Sequence, residues 1–536
     1  MNWLRGRRGF LHLPVTILTL PNMKSCLALI LVCLVASTHG AATVGGSESV
    51  EELCRRAQEL LDAGKYQLAR EAAEHALGIN SGSAEAEDLA GTAALALDDL
   101  RGAEAHLRRA LELTPERIDA RKSLGATYLK ERRLTDARRE FLLVLEARPQ
   151  DFDSHYNLGR ALLLSDQPEA ALGQFENAAR LKPGGSALLA DTLDAQLRLK
   201  RADQAAVTLA ALDRQLGERD TLRVHIAELL VRQGAYSLAA REFERLHKAD
   251  PKSYEFSYNL ALAYHRAGND AQASTFLQSL LVRNDSAELE DLLGEVEESR
   301  GASASSLAAF RRAAELDPKS EDYRLHYGQA LVNQGALNEA VRVFAEATKD
   351  LPQSSQMWMA WGGTLYLLGR FTDSAQKLLR AAEIAPNDPR VYFLLGRAYD
   401  AAGPLRDTIT RQFAHHLLET PNDAWAQYFY GRILAERIIQ GSPGDLDEAQ
   451  QHVEKALALD GSLAEAHAEL GSILDARGQI DAARRELEQA TRLDASSSIA
   501  YYRLAHVYQE LGQNEQARAA IEKFQELKKE KARHRD

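Results

Sequence analysis

Side chains that could carry chemistry are scattered along this 536-residue chain rather than grouped in motifs. His415 and His416 are adjacent, so on one helix they would point about 100° apart and be poorly placed to share a metal ion. Carboxylate pairs such as Glu297 and Glu298 are typical of solvated faces in an acidic helical protein. No H-E-x-x-H, paired C-x-x-C, G-x-S-x-G or phosphate-binding glycine loop occurs. We therefore predict a protein that is not an enzyme, with no catalytic residues, no cofactor and no metal.

One segment, 356–432, is rich in aromatic and methionine side chains. All three tryptophans outside the N-terminal 42 residues lie in it. Aromatic side chains and arginine are the types that most often anchor protein partners, because they combine a large contact area with a polar end. Whether these side chains face a partner or fill a core depends on the elements that position them.

The chain repeats with a period of 34 residues. Gly91, Gly125 and Gly159 are 34 residues apart, and each is followed by an alanine after 12 residues and a proline after 24. The column of small residues continues almost to the C-terminus, with Leu193 as the one bulky exception, and defines fourteen units. Self-similarity at this period indicates a stacked array rather than a single globular core.

Each unit is predicted to contain two α-helices. Leu124 and Tyr128 are four residues apart and share one helix face, and the small Gly125 beside them lets a neighbouring helix approach closely. A glycine inside a helix costs about 1 kcal/mol relative to alanine, so its recurrence favours tight packing. Glycines such as Gly64 and Gly234 suit the C-cap between the two helices, and the prolines end the second helix.

These patterns resemble the tetratricopeptide repeat, whose 34-residue unit reads W-x2-L-G-x2-Y…A-x3-F…P. The residues that carry the resemblance include Leu124-Gly125-x2-Tyr128, Leu395-Gly396-x2-Tyr399 and Ala340-x3-Phe344…Pro352. It covers residues 50–531 and is weakest in the units around Leu193 and Gly431. The resemblance implies an all-α TPR solenoid, a right-handed superhelix of about fourteen helix-turn-helix repeats. Its first helices are expected to line a concave groove.

The resemblance also sorts the aromatic segment. In the family, the second, fifth, ninth and twelfth positions of a unit face the groove. The side chains that these positions place there are our predicted partner-binding site: Met359, Tyr366, Phe393, Arg397, Trp425, Tyr428 and Arg432. Four other aromatics fall on core positions and are predicted to be buried: Trp358, Trp361, Tyr392 and Tyr430. The alternative is that the predicted site residues also fill the core.

Composition argues against one class of partner, and the N-terminal residues indicate where the protein works. A net charge of −12 and a pI near 5.8 argue against a nucleic-acid partner. Lys24, the apolar run from Cys26 to Ala36 and the small residues after it are typical of a secretory signal peptide, with Met23 as an alternative start. The run is too short for a stable membrane span. The predicted organisation is a leader at 1–42, a linker at 43–49, the repeat array at 50–531 and a basic tail at 532–536.

The sequence therefore predicts a non-catalytic protein–protein interaction scaffold, exported to the periplasm or the cell surface. It would bind a protein or peptide partner in its groove. One alternative is an accessory subunit of an enzyme or of a secretion or assembly complex. Another is an assembly factor that an uncleaved leader anchors to the membrane.

Overall fold

The computed structural model describes residues 48–217, 220–441 and 446–533, and the secondary structure in these ranges is helical throughout. Within them, 28 α-helices follow one another as fourteen helix–turn–helix units. The predicted all-α array of about fourteen repeats is thus confirmed. None of the helices in the described ranges is both long and apolar enough to cross a membrane. The predicted leader lies outside the described residues.

The chain divides into two structural parts between residues 131 and 132. The helices of the first are α1 (Val50–Asp62), α2 (Tyr66–Ile79), α3 (Ala84–Ala96), α4 (Leu100–Leu113) and α5 (Ile118–Lys130). Those of the second are α6 (Leu134–Ala147), α7 (Phe152–Leu164), α8 (Pro168–Leu181), α9 (Ser186–Arg198), α10 (Ala202–Asp213), α11 (Thr221–Arg232), α12 (Tyr236–Ala249), α13 (Tyr254–Arg266), α14 (Asp270–Leu281), α15 (Ala287–Ser299), α16 (Ser303–Leu316), α17 (Glu321–Asn333), α18 (Leu337–Asp350), α19 (Ser355–Leu367), α20 (Phe371–Ile384), α21 (Pro389–Ala398), α22 (Arg406–Glu419), α23 (Ala424–Ile439), α24 (Leu446–Leu459), α25 (Ala464–Ala476), α26 (Ile480–Leu493), α27 (Ser498–Glu510) and α28 (Asn514–Arg533).

The turn inside each unit uses a left-handed residue, as predicted for the C-cap glycines. Gly64 and Gly234, for example, have φ of 69° and 73°. In four units a residue with a side chain occupies the same place with φ between 56° and 65°: Asp98, Arg132, Asp166 and Lys200. For such residues the left-handed conformation costs about 1–2 kcal/mol.

The column of small residues forms a notch that the second helix of the same unit fills. A Cβ built on Gly159 would lie 2.5 Å from the ring of Phe175, and one on Gly471 would lie 2.6 Å from Leu487. The filling side chain is 16 residues after the glycine in both cases. The close helix approach predicted from the recurring glycine is therefore confirmed at these positions.

The side chain of the fourth residue of a unit donates a hydrogen bond to the turn that connects this unit to the one before it. Where the family pattern has tryptophan, Trp358 donates its indole N–H to the carbonyl oxygen of Pro352, 3.1 Å away. Other units make the same bond to the carbonyl six residues earlier with a different donor: Arg121 to Pro115, His155 to Pro149, Arg223 to Gly217, Arg324 to Pro318, Gln427 to Pro421 and His467 to Gly461. This position, which we call the donor column, selects a long side chain with an N–H group.

Of the four aromatics predicted to be buried, only Tyr392 is. For the other three the prediction was wrong, because Trp358, Trp361 and Tyr430 are half-buried. Trp358 must reach the carbonyl of an exposed turn, which leaves part of its ring in solvent. Trp361 stacks on Trp358 with ring centroids 5.5 Å apart, and the ammonium group of Lys377 lies 4.4 Å from its centroid. The two tryptophans therefore form a shallow surface layer.

Candidate partner-binding site

The predicted site lies on the first helices of three consecutive units, α19, α21 and α23. Helix α21 begins at Pro389, where the side chain of Asp388 accepts the backbone N–H of Arg390. It has only 10 residues and gives way to two 3-10 turns, Tyr399–Ala401 and Gly403–Leu405. Helix α23 is instead extended to 16 residues, compared with 13 in α19. The repeat is therefore distorted at the centre of the aromatic segment.

The distortion changes which side chain fills the glycine notch. A Cβ built on Gly396 would overlap the ring of Phe429, which belongs to the first helix of the next unit. Phe429 is only 2% exposed, and its ring centroid lies 6.3 Å from that of Phe413 on α22. The ring of Phe429 thus locks α21 to α23 and supports the aromatic side chains around it.

Four rings on α21 and α23 form what we call the aromatic cluster: Phe393, Trp425, Tyr428 and Phe429. Phe393 meets Trp425 edge-to-face, with centroids 5.1 Å apart and planes at 89°. Trp425 stacks on Phe429 at 5.8 Å and meets Tyr428 edge-on at 5.9 Å. Edge-to-face and offset contacts are the favourable geometries for aromatic pairs. The cluster is therefore one packed assembly, with Phe393 and Trp425 partly exposed, rather than a set of independent side chains.

Arg397 covers the exposed side of this cluster. Its guanidinium carbon lies 5.2 Å from the ring centroid of Phe393, 5.7 Å from Trp425 and 5.8 Å from Phe429. Its Nη2 also donates to Oε1 of Glu465 on α25 at 3.0 Å, although both side chains remain about two-fifths exposed, at 41% and 39%. A cation at this distance from several rings is attracted to their faces. Arg397 thus connects first helices two units apart.

Arg432 is less exposed than Arg397 and also approaches Phe429, with its guanidinium carbon 5.8 Å from the centroid of that ring. Its Nη1 donates to Asp400 at 3.0 Å and its Nη2 donates to the carbonyl oxygen of Gly396 at 3.2 Å, which ties α23 to the end of α21. Its Nε is buried and has no hydrogen-bond partner among the described residues. Burial raises the pKa of the neighbouring Tyr428 phenol, so this group is a neutral hydroxyl at physiological pH.

The structure divides the predicted site residues by exposure. It brings five of them together around the aromatic cluster: Phe393, Arg397, Trp425, Tyr428 and Arg432. Tyr428 is 7% exposed and Met359 on α19 is 8% exposed, so both offer little surface to a partner. Tyr366, also on α19, is half-buried and packs edge-on against Phe371 at 5.2 Å.

Three residues of the site were missed from the sequence. Asp400 and Glu465 occupy the twelfth and second positions of their units, so the rule that selected the other residues also points to them. Phe429 follows no such rule, because it fills the notch of the preceding unit instead of its own. Its signal is indirect: it is one more aromatic in a segment that already has many.

Family comparisons agree with this architecture. Tetratricopeptide repeat models match residues 94–163, 230–296 and 327–389, and further TPR models match 471–512 and 499–531. The chain belongs to the tetratricopeptide repeat family. TPR solenoids are generally non-enzymatic scaffolds, and TPR proteins typically bind protein partners.

Individual TPR relatives are distant. The chain is 26% identical over 283 residues to "Cellulose synthase 2 operon protein C" of Komagataeibacter xylinus, covering 52% of this chain and 20% of that protein. It is 21% identical to "TPR repeat-containing protein YpiA" of Bacillus subtilis (strain 168), covering 45% of this chain and 56% of that protein. The solved structure of yeast Tom70 is 17% identical with a TM-score of 0.33, covering 76% of this chain and 92% of that one. The chain thus spans about a fifth and just over half of the two curated relatives.

Proposed function

We propose that this TPR protein is a non-catalytic scaffold that holds a protein or peptide partner at the aromatic cluster and Arg397. The observation that carries the proposal is the exposed guanidinium of Arg397, whose carbon lies within 5.8 Å of the centroids of three rings on the first helices of two consecutive units. Tryptophan and arginine are over-represented among the residues that dominate binding energy, and such residues cluster.

The cluster suits binding because it is already ordered. Phe393 and Trp425 are half-buried and held by the fully packed Phe429, so a partner would immobilise few additional rotamers. Preorganisation of this kind lowers the entropic cost of association. The two partly exposed rings and the exposed cation would therefore lose little of their interaction energy with a partner to the cost of ordering side chains.

The charges around the cluster favour one kind of partner segment. Arg397 forms a solvent-exposed ion pair with Glu465, and exposed ion pairs contribute little to stability. A carboxylate on the partner could replace that of Glu465 at low cost. The proposed partner segment is thus a peptide with an apolar or aromatic side chain next to an acidic one.

Site-specific photo-cross-linking in cells tests this proposal. A photo-reactive amino acid in place of Glu465 lies at the edge of the cluster, and one in place of the exposed Glu454 on the second helix α24 is the matched control. We expect protein adducts from position 465 that disappear when Trp425→Ala is added, and none from position 454. Equal adducts from both positions, or adducts that survive Trp425→Ala, would overturn the proposal.

We also propose that the protein works after export, in the periplasm or at the cell surface. The composition of residues 1–42, with a lysine before an apolar run and small residues after it, supports this proposal. Fractionation of cells that express the chain with a C-terminal tag tests it. We expect the tagged protein in the periplasmic or extracellular fraction. Recovery with the cytoplasmic proteins would contradict export, and recovery with membranes would favour an uncleaved leader.

A further inference from the structure

A second polar cluster lies on first helices of earlier units, α13, α15 and α17. Asp291 and Glu295 are one helical turn apart on α15, with His326 on α17 and His265 on α13 at either side. All four side chains are half-buried. The cluster is separate from the aromatic cluster and plays no part in the proposed partner binding.

Three of the four side chains converge on one point. His326 Nδ1 lies 2.8 Å from Oδ1 of Asp291, and single ligand atoms of Asp291, Glu295 and His326 lie within 4.8 Å of one another. His265 approaches from the opposite helix, with Nε2 at 3.9 Å from Oε2 of Glu295. Ligand atoms from two consecutive first helices thus converge, and the imidazole of His265 on the preceding first helix lies beside the Glu295 carboxylate.

A further contact orients His265. Its Nδ1 lies 2.6 Å from Oδ1 of Asp270, whose Oδ2 accepts a hydrogen bond from Ser299 Oγ at 2.6 Å. In the tautomer that donates its Nδ1 proton to this carboxylate, Nε2, the nitrogen on the side of Glu295, carries the lone pair that a metal would bind. A carboxylate that fixes the other ring nitrogen is the usual arrangement behind a histidine that ligates a metal. A cation between Nε2 and the Glu295 carboxylate would satisfy both.

The geometry points to a binding site for a divalent transition metal such as Zn²⁺ or Co²⁺, with Asp291, Glu295 and His326 as ligands and with His265 as a fourth ligand once its imidazole moves towards them. Imidazole together with carboxylate suits these ions, whereas Mg²⁺ and Ca²⁺ are bound through oxygen ligands. Rotation of these side chains would bring the donor atoms to the metal–ligand distances of about 2.0–2.2 Å that Zn²⁺ requires. A bound ion would join α13, α15 and α17 and stiffen this part of the array.

Metal titration of the full chain tests the site. Co²⁺ alone is the first probe, because ligation by two histidines produces a visible absorption band, and Zn²⁺ is then used to displace it. We expect one Co²⁺ bound per chain with micromolar affinity, displaced by equimolar Zn²⁺ and not by millimolar Mg²⁺. Bound Zn²⁺ should also slow hydrogen exchange in peptides from α13, α15 and α17.

Variants assign the ligands. His326→Ala and Asp291→Asn should each weaken Co²⁺ binding at least tenfold. Asp270→Asn should weaken it by about 10–100-fold by releasing the orientation of His265. His225→Ala is the matched control, since His225 has the same repeat position as His326 but Ala190 occupies the place of Asp291.

His506→Ala separates this site from the group Asp475, His506 and Glu510, the other Asp–His–Glu group that the described residues bring together. Circular dichroism checks that each variant is folded. The proposal is overturned if the folded chain binds no Co²⁺ below 1 mM, if His225→Ala or His506→Ala abolishes binding, or if His326→Ala leaves it unchanged.

Discussion

The buried ion pair between Arg223 and Glu242 gives the sharpest stability prediction. The two side chains are 3% and 1% exposed, and Arg223 also lies 3.0 Å from Asp213. Arg223→Met leaves Glu242 buried beside the Asp213 carboxylate, with Arg245 at 3.6 Å as its remaining cation. Removing one partner of a buried pair costs about 3–5 kcal/mol, and we expect a loss in this range.

The partner variant should cost less. Glu242→Gln leaves Arg223 paired with Asp213, so we expect a loss of about 1–3 kcal/mol. The double variant Arg223→Met/Glu242→Met leaves neither of the two charges behind and should be more stable than Arg223→Met alone. Burial raises the pKa of Glu242, and the charge of Asp213 raises it further. Since the protonated form is favoured in the fold, the loss in Arg223→Met should be smaller at pH 5 than at pH 7.5.

Hydrogen exchange in peptides from α11 and α12, followed by mass spectrometry, is the appropriate assay. Stacked repeats can open locally, so a single unfolding midpoint would average over the array. Arg311→Met is the matched control, because Arg311 forms an exposed ion pair with Glu315 on α16. Loss of that pair should leave hydrogen exchange in peptides from α16 unchanged. The reasoning is refuted if Arg223→Met behaves like this control, or if the double variant loses as much as the two single variants together.

Three further predictions concern the turns and the donor column. Trp358→Phe keeps an aromatic ring but removes the donated N–H, so it should destabilise its unit by about 1 kcal/mol. Trp361→Phe removes a buried N–H that has no partner among the described residues, so it should cost less. Local hydrogen exchange compares the two, and equal losses would contradict the donor role. Lys200→Gly should raise the free energy of local opening of its unit by about 0.5–1 kcal/mol by relieving the left-handed φ of 56°, which hydrogen exchange in peptides from α9 and α10 measures. A decrease would mean that the lysine side chain holds the turn. Deleting Gly441–Gly444, of which 442–444 lie outside the described residues, should change local stability by no more than roughly 1 kcal/mol, measured by hydrogen exchange in peptides from α23 and α24. Collapse of the fold would show that the loop is structural.

Features that depend on one unit alone could be predicted from the sequence. The glycine at 159 and the phenylalanine at 175 already imply a notch and the side chain that fills it, because both lie within one helix pair. The left-handed glycines were predictable for the same reason. The donor column was not, because its residues share an N–H group and not a residue type. Its acceptor is visible only when the turn before the unit is known.

Features that depend on the next unit were predicted less well. Repeat position tells which helix face carries a side chain, but not how far a neighbouring helix covers it. Trp358 and Trp361 were therefore predicted to be buried and are half-buried. The shortened α21 and the insertion of Phe429 into the notch at Gly396 break the repeat. The packing of the aromatic cluster depends on that break, and the periodic pattern does not contain it.

The affinity of the cross-linked partner for single variants tests the central claim most directly. Once mass spectrometry has identified that partner, it can be titrated against the purified chain by calorimetry. Trp425→Ala and Arg397→Ala should each weaken Kd by about 30-fold, the equivalent of about 2 kcal/mol for an anchoring residue. Trp361→Ala, a half-buried tryptophan of the surface layer on α19, should leave Kd within about twofold. Unchanged affinity in Trp425→Ala, or an equal loss in Trp361→Ala, would contradict the account.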